Sequence, residues 1–385
     1  EKRAKSAGVS KYNFRILDGT SIFSTIGNTL TLDAWIKAGI LGLRPPWQSK
    51  ILVEPELKRC AANQCLLDYF KPYVDFVEGT EELSRLKPLA SELLAHHDFY
   101  PYYYGNKTLP YSHSAVVWIQ SEWDKQGREP LLQLKDKHRQ QGWEILEKIG
   151  VSKGNWFVTS HVRSSGFKSK ESYRDSDISS YIDAYREVTK KGGWVIRLGD
   201  ASMDPLPPMT NVFDYAVSSV KSDWMDVFLL ATARFMIGTS SGPTTVSYAF
   251  GVPVAMTNNL PTAATYLGKQ DLFLPRLMRR LDDHRFLNLE ELMNTPYNMA
   301  VWDTMYTNVL GVENIPNTSE EITELAKEML DKLDDTLSYT EEEEAMQQRF
   351  KSLTAEHEVM IGFPELEIQC RIGRHFLNKH QHLLG

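Results

Sequence analysis
Two features suit this sequence to holding an anion: an arginine at the end of an apolar run and, further on, a loop built from hydroxyls and glycine. Arg163 closes WFVTSHVR at 156–163, and TSSGPTT at 239–245 follows FMIG at 235–238. A guanidinium presents a rigid fork of N–H donors that matches a pair of phosphate oxygens. In the loop Ser240, Ser241, Thr244 and Thr245 offer hydroxyls, and Gly242 lets an anion approach the main chain. Pro243 suits the first turn of a helix, with Ser241 or Gly242 as its cap. The helix dipole and the first-turn N–H groups, which lack intrahelical partners, then favour negative charge. An ordinary strand-to-helix turn uses the same small residues, and Arg163 taken alone reads first as half of a surface ion pair.

Other residues able to do chemistry have plainer readings. Asp175 and Asp177 in YRDSDISSY (173–181) have the D-x-D spacing of some metal sites. They lie just before a helix, however, where acidic residues cap it and complement its dipole, so capping is the reading and no metal is expected. His96, His97 and Asp98 are adjacent and point in different directions, which serves a tetrahedral ligand set poorly. Tyr100, Tyr102, Tyr103 and Tyr104 around Pro101 read as packing, with a sugar-stacking surface as the alternative. Arg276, Arg279 and Arg280 read as a solvated face.

The elements that must position these residues follow from the apolar periodicity. In the second half, strands at 156–163, 194–198, 211–215, 235–238 and 252–256 alternate with helices at 178–191, 223–231 and 243–250. Such alternation predicts a parallel, doubly wound sheet, whose ligands bind outside the carboxyl ends of the strands. The loops at His161 and Arg163, at Arg197, at Asp214 and at 239–245 all leave such ends and can converge on one ligand, with Arg174 beside them. In the first half, strands at 13–17, 51–54, 74–77 and 115–119 alternate with helices at 30–38, 57–70 and 131–149. A glycine loop at 24–29, containing Gly27 and Asn28, leaves the first of these strands, and Asp18 and Asp33 flank it.

The predicted fold class is α/β, two Rossmann-like doubly wound domains followed by a helical segment. The boundaries fall at 1–150, 151–338 and 339–385, with GVSKGN at 150–155 as the linker. Thr318, Ser319, Glu320 and Glu321 open a helix running to about 337, Glu341 to Glu344 opens another, and 371–384 reads as a basic amphipathic helix packing across the domains.

A chain of 385 residues is long for a single core, which agrees with two domains. Its net charge of −7 argues against a general nucleic-acid or membrane-surface binder, while leaving room for a local basic pocket. No apolar run has the length of a membrane span, and Glu1, Lys2 and Arg3 open no secretory apolar region, so a cytoplasmic location is expected. Cys60, Cys65 and Cys370 lack paired metal spacing, which fits a reducing compartment.

The motifs are more specific than their physics. SHVRSSGF (160–167), YRDSDISSY (173–181), GGWVIRLGD (192–200), FDYA (213–216), SDWMDVFLLATARFMIGTSSGP (222–243) and FGVPVAMTN (250–258) closely resemble a family of bacterial glycosyltransferases. The likeness continues into NTSEEI (317–322) and RIGRHFL (371–377), and more weakly into IGNT (26–29), so it covers most of the chain. The H-V-R strand is also similar to that of O-fucosyl and α1,6-fucosyltransferases, where the arginine holds a nucleotide diphosphate, which implies this role for Arg163. The S-G-P loop is similar to that of heptosyltransferases, which implies a place beside the diphosphate for Ser241, Gly242 and Pro243. After Arg163 the chain reads Ser-Ser-Gly, where the fucosyltransferases commonly have arginine or glycine and aspartate, a departure that leaves the donor sugar and base open.

The resemblance implies a GT-B architecture of two facing domains. It further implies inverting, metal-independent transfer from a nucleoside-diphosphate sugar, a GDP-sugar slightly favoured, to a glycan, lipid-linked or protein acceptor. His161, Arg163, Arg174, Arg197, Asp214, Thr239, Ser240, Ser241, Gly242, Thr244 and Thr245 are the expected donor contacts, and Arg163 also stabilises the leaving group. Asp33 or Asp18 is the expected acceptor-side base, with Gly27 and Asn28 lining that side. The nucleotide sugar is a substrate, so no cofactor is expected, and a homo-oligomer is left open. A nucleotide-sugar epimerase of similar architecture and a nucleotide-binding scaffold without turnover are the alternatives.

Overall fold
The computed structural model describes residues 14–17, 29–46, 48–53, 62–93, 102–104, 107–109, 113–164, 174–259, 268–294, 296–297, 304–355 and 369–385. Contacts divide the chain into two compact units, Glu1–Gln133 and Leu134–Gly385.

The first unit contains β1 (Phe14–Leu17), α1 (Thr29–Ile40), β2 (Gln48–Leu52), α2 (Gln64–Phe70), β3 (Asp75–Val77), α3 (Thr80–Leu93), the hairpin strands β4 (Tyr102–Tyr104) and β5 (Lys107–Leu109), and α4 (His113–Lys125). β1, β2 and β3 pair in parallel in that order. Helix α1 buries Leu32, Trp35, Ile36 and Ala38 and packs on α4. Arg44 stays in place by donating from Nε to the Trp35 carbonyl at 2.6 Å and stacking 4.0 Å from that indole. The start of α2 is fixed by Asn63, whose side chain accepts from the Leu66 N–H at 2.8 Å. The stretch 115–119, expected as a strand, lies inside α4. All five of its residues are buried, and a short apolar run buried all round carries no period that separates strand from helix.

The second unit holds α5 (Asp136–Lys148), β6 (Phe157–His161), a 3-10 turn (Ile178–Tyr181) leading into α6 (Ile182–Lys190), β7 (Trp194–Arg197), β8 (Val212–Asp214), α7 (Asp223–Thr232), β9 (Met236–Thr239), α8 (Gly242–Ala249), β10 (Val254–Asn259), β11 (Leu272–Pro275), β12 (Leu277–Arg280), α9 (Leu289–Met293), β13 (Val312–Ile315), α10 (Ser319–Leu333), α11 (Glu341–Ala355), β14 (Arg371–Ile372) and α12 (Arg374–Lys379). Seven of these strands make one parallel sheet in the order β14-β11-β10-β9-β6-β7-β8. Phe157, Val158, Val195, Ile196, Met236, Ile237, Val254, Ala255, Leu272 and Phe273 are buried in it, as expected of strands covered on both faces.

Helix α5 belongs to this unit, which places the division before it rather than at residue 150. Its Trp143 ring meets Phe157 and Phe228 edge-on, at 5.9 and 6.0 Å between centroids. Gly142 makes that approach feasible, since a Cβ there would lie 2.3 Å from the Phe228 ring. At the other end of the unit, α10 opens with the expected capping box: Thr318 accepts from the Glu321 N–H, and the Glu321 carboxylate accepts from the Thr318 N–H. Burial opposes ionisation of Glu321, yet bonds from His380, the Thr318 main chain and Lys379 hold its pKa at about 2.

The segment 371–384 is not one helix. Arg371 and Ile372 pair with Leu272 and Phe273 as the edge strand β14, and the Gly373 N–H donates to the Phe273 carbonyl at 3.0 Å before α12 begins. α12 packs on α10. Beside the main sheet, β12 and β13 pair antiparallel over a small core of Met278, Leu287, Leu292, Tyr306 and Val312. Among the described residues, no helix is long and apolar enough to cross a membrane.

Candidate active site
The chain lays down β6 first, builds outward through β7 and β8, and then returns to the other flank of β6 with β9, β10 and β11. β6 and β9 therefore bracket the point where the winding reverses, and loops leaving their carboxyl ends part in opposite directions. Arg163 lies two residues beyond β6, and Ser240 to Thr245 lie directly beyond β9. His161 faces Gly238 in the register, and a Cβ on Gly238 would stand 2.0 Å from the His161 carbonyl oxygen. Glycine at 238 is what allows the two strands to close at this point.

Arg163 is 5% exposed. Its N–H donates to Thr239 Oγ1 at 3.1 Å, joining the two loops, and its Nε lies 3.1 Å from Asp175 Oδ1. Asp177 does cap, accepting from the Ser179 N–H at 2.8 Å at the head of the 3-10 turn. The two aspartates of the D-x-D spacing thus divide the work, one holding an arginine and one a helix start. Arg174 reaches the other loop, donating from Nη2 to the Ser240 carbonyl at 2.7 Å.

The hydroxyls of the loop are wired internally. Thr244 Oγ1 donates to the Thr239 carbonyl at 3.0 Å and Thr245 Oγ1 to the Gly242 carbonyl at 2.7 Å. Ser241 is the N-cap of α8, but its Oγ makes no capping bond and lies instead 3.0 Å from His161 Nδ1 and 3.3 Å from Thr244 Oγ1. These bonds shape the loop around the end of α8. The donors suited to an anion are the first-turn N–H groups of that helix. Burial, reinforced by Arg197, lowers the His161 pKa to about 4, so its ring is neutral at neutral pH.

Arg197 and Asp214 point at each other. They face across β7 and β8, with Arg197 Nη1 at 2.9 Å from Asp214 Oδ1. Arg197 Nη2 donates to the Asp204 carbonyl at 3.1 Å, while Asp214 Oδ2 accepts from the Leu206 N–H at 2.8 Å. This is a part-buried pair that organises the loop after β7, with Arg197 Nε left without a hydrogen-bond partner among the described residues.

Sequence reasoning missed a buried polar group at the ends of β10 and β11. Arg276, read as part of a solvated face, is 5% exposed and donates from Nη2 to the Asp175 carbonyl. The Tyr181 hydroxyl lies 2.5 Å from Thr257 Oγ1 and accepts from Asn258 Nδ2 at 3.3 Å. Asn258 and Asn317 exchange main-chain to side-chain bonds, at 2.6 and 2.7 Å. Asn258 holds a φ of 52°, which asparagine tolerates better than most residues. The available signals were an asparagine at a strand end and one just before a capping box, and neither marks burial.

In the first unit, Asp33 is buried on α1 with its Oδ2 2.5 Å from Lys37 Nζ, which also donates to Gln120 Oε1 at 2.7 Å. Burial pushes the Asp33 carboxyl up against the pull of Lys37, and its Oδ1 has no hydrogen-bond partner among the described residues. Asp18, Gly27 and Asn28 lie outside the described residues, as do His96, His97 and Asp98.

No protein-family model matches the chain, and no curated protein matches it. Among solved structures it is similar to a glycosyl transferase family 9 protein from Veillonella parvula, at 11% identity and TM-score 0.39, covering 65% of this chain and 83% of that one. It is also similar to the E. coli ADP-heptose LPS heptosyltransferase II, at 13% identity and TM-score 0.40, covering 66% and 88%. A third is the iron-containing dodecameric glycosyltransferase TibC from enterotoxigenic E. coli, at 13% identity and TM-score 0.38, covering 84% and 76%.

Proposed function
We propose that the protein is a glycosyltransferase that displaces a nucleoside diphosphate from the anomeric carbon of a nucleotide sugar. The observation that carries this reading is the joining of buried Arg163 to the α8 loop at the point where the winding of the sheet reverses. Negative charge grows on the leaving diphosphate as the sugar takes on oxocarbenium character. A guanidinium and a set of helix N–H groups already in place stabilise that charge without reorganising at the moment of reaction. Since the positive charge comes from Arg163 and the α8 terminus, the reaction is proposed to run without a metal.

The acceptor is a glycan or glycoconjugate, and the H-V-R resemblance favours a GDP-sugar as donor. Asp33 is assigned as the base that takes the acceptor hydroxyl proton in a single, inverting displacement. Asp33→Asn should therefore cost turnover beyond its effect on folding; a variant that only loses stability reduces the Asp33–Lys37 pair to a structural role.

The reading is tested by incubating the protein with UDP-, GDP-, ADP-, CDP- and dTDP-sugars, with and without mixed oligosaccharide and glycolipid acceptors, and following released diphosphate and the fate of the sugar. Diphosphate release that an acceptor accelerates, with the sugar recovered on that acceptor, is expected. An isomerised nucleotide sugar without release identifies an epimerase, and binding without either product identifies a scaffold.

A further inference from the structure
Arg276 is a buried cation that the proposed reaction does not use. It follows β11 directly and is anchored by its own N–H, which donates to the Asn259 carbonyl at 2.8 Å. Its Nη2 donates to the Asp175 carbonyl and lies 3.3 Å from Ser176 Oγ. Taking a guanidinium out of water is costly unless its bonds secure something.

What they secure is the segment 174–176. Arg174 binds the Ser240 carbonyl at 2.7 Å, the Asp175 carboxylate holds Arg163 Nε at 3.1 Å, and the Ser176 N–H donates to the Arg163 carbonyl at 3.0 Å. The segment thereby ties together the loops that follow β6 and β9, and Arg276 is its anchor on the β11 side.

We propose that Arg276 is a positioning residue of the diphosphate site, holding 174–176 so that the Asp175 carboxylate fixes the direction of the Arg163 guanidinium. Arginine suits the task because its planar fork donates to a carbonyl and a hydroxyl at defined angles, where a lysine is a point charge on a flexible stem. The role rests on the diphosphate reading of Arg163, and it makes anion affinity depend on a side chain that itself does not touch the anion.

The test compares the wild type with Arg276→Lys, Arg276→Met, Arg163→Ala and the Arg163→Ala/Arg276→Met double variant, using inorganic pyrophosphate and GDP as calorimetric probes. Amide hydrogen exchange over 174–177 is measured on the same proteins. Arg276→Met should speed exchange at Ser176 and weaken pyrophosphate binding roughly tenfold, the scale of losing a partner that orients a binding group. Arg276→Lys should recover part of both, and the double variant should bind no worse than Arg163→Ala alone. Unchanged exchange and affinity in Arg276→Met overturn the proposal. Losses that add in the double variant overturn it too, since Arg276 would then contact the anion itself. If the wild type binds neither probe, the diphosphate reading fails instead, and the hold on 174–176 is decided by exchange alone: faster exchange supports it and unchanged exchange overturns it.

Discussion
Arg163 and Arg197 are chemically identical and both buried beside an aspartate at the carboxyl ends of adjacent parallel strands, Arg197 as the last residue of β7 and Arg163 two residues beyond β6. Their partners make them different. Asp214 ends the strand next to Arg197 and sits opposite it in register, and the Asp204 carbonyl and Leu206 N–H complete the set. Asp175 comes to Arg163 on a segment that also touches the loops after β9 and β11. An arginine at a strand end is thus a structural bolt where the neighbouring strand supplies its carboxylate. Under the proposed function, it meets an anion where the winding of the sheet reverses, as Arg163 does.

That contrast can be broken most forcefully at Arg197. Arg197→Met strands Asp214 and should cost about 3–5 kcal/mol of unfolding free energy in urea, the range for removing one partner of a buried pair. Arg163→Met should cost less stability and more nucleotide affinity; equal losses in both properties would erase the distinction. Next is Gly238→Ala, whose Cβ has no room beside the His161 carbonyl. It should lose about 1–3 kcal/mol by overpacking, and diphosphate binding with it. Tight binding by a stable Gly238→Ala protein would show that the closure of β6 on β9 does not shape the site.

A smaller effect is read in pH. His161 has a folded pKa of about 4, below its ordinary value, because burial disfavours the imidazolium. Between pH 6.5 and 4 the unfolded chain takes up a proton that the folded one refuses, so stability is lost as pH falls through this window. The loss from this residue should be roughly 2 kcal/mol between pH 7.5 and 5, at about 1.4 kcal/mol per unit. His161→Gln should remove that part of the slope when the two proteins are unfolded in urea at both pH values, and identical slopes would place the ring in water. The smallest effect is expected of Ser241→Ala, about 1 kcal/mol for its bond to His161. Its nucleotide affinity should fall only a few-fold, because the α8 N–H groups remain.

The strands of the second unit were readable because a parallel strand buried on both faces tends to a continuous apolar run, as WVIR and FMIG nearly are. FVTSH is apolar only at Phe157 and Val158 and is marked by the β-branched residues and the loop that follows. Thr318 and Glu321 announced α10 because a capping box is local chemistry. Where identity depends on a distant partner, the sequence is silent. Nothing beside Arg276 distinguishes it from Arg279 and Arg280, because its partners lie about a hundred residues away at Asp175 and Ser176. The pairing of Arg371 and Ile372 with Leu272 and Phe273 depends equally on a remote strand edge, and a two-residue strand leaves no period to detect. Loop hydroxyls were legible as a set, but whether each bonds a carbonyl or waits for a ligand is decided by the turn geometry.

The most direct measurement is a thermal-shift screen of UDP, GDP, ADP, CDP and dTDP, without added metal, on the wild type and on Arg163→Ala. A ligand at about 100 times its dissociation constant adds roughly 2.7 kcal/mol to folding stability, which such a screen detects. One diphosphate should raise the melting temperature of the wild type and leave that of Arg163→Ala unchanged. A folded wild-type protein that none of the five stabilises would contradict a diphosphate site between β6 and β9.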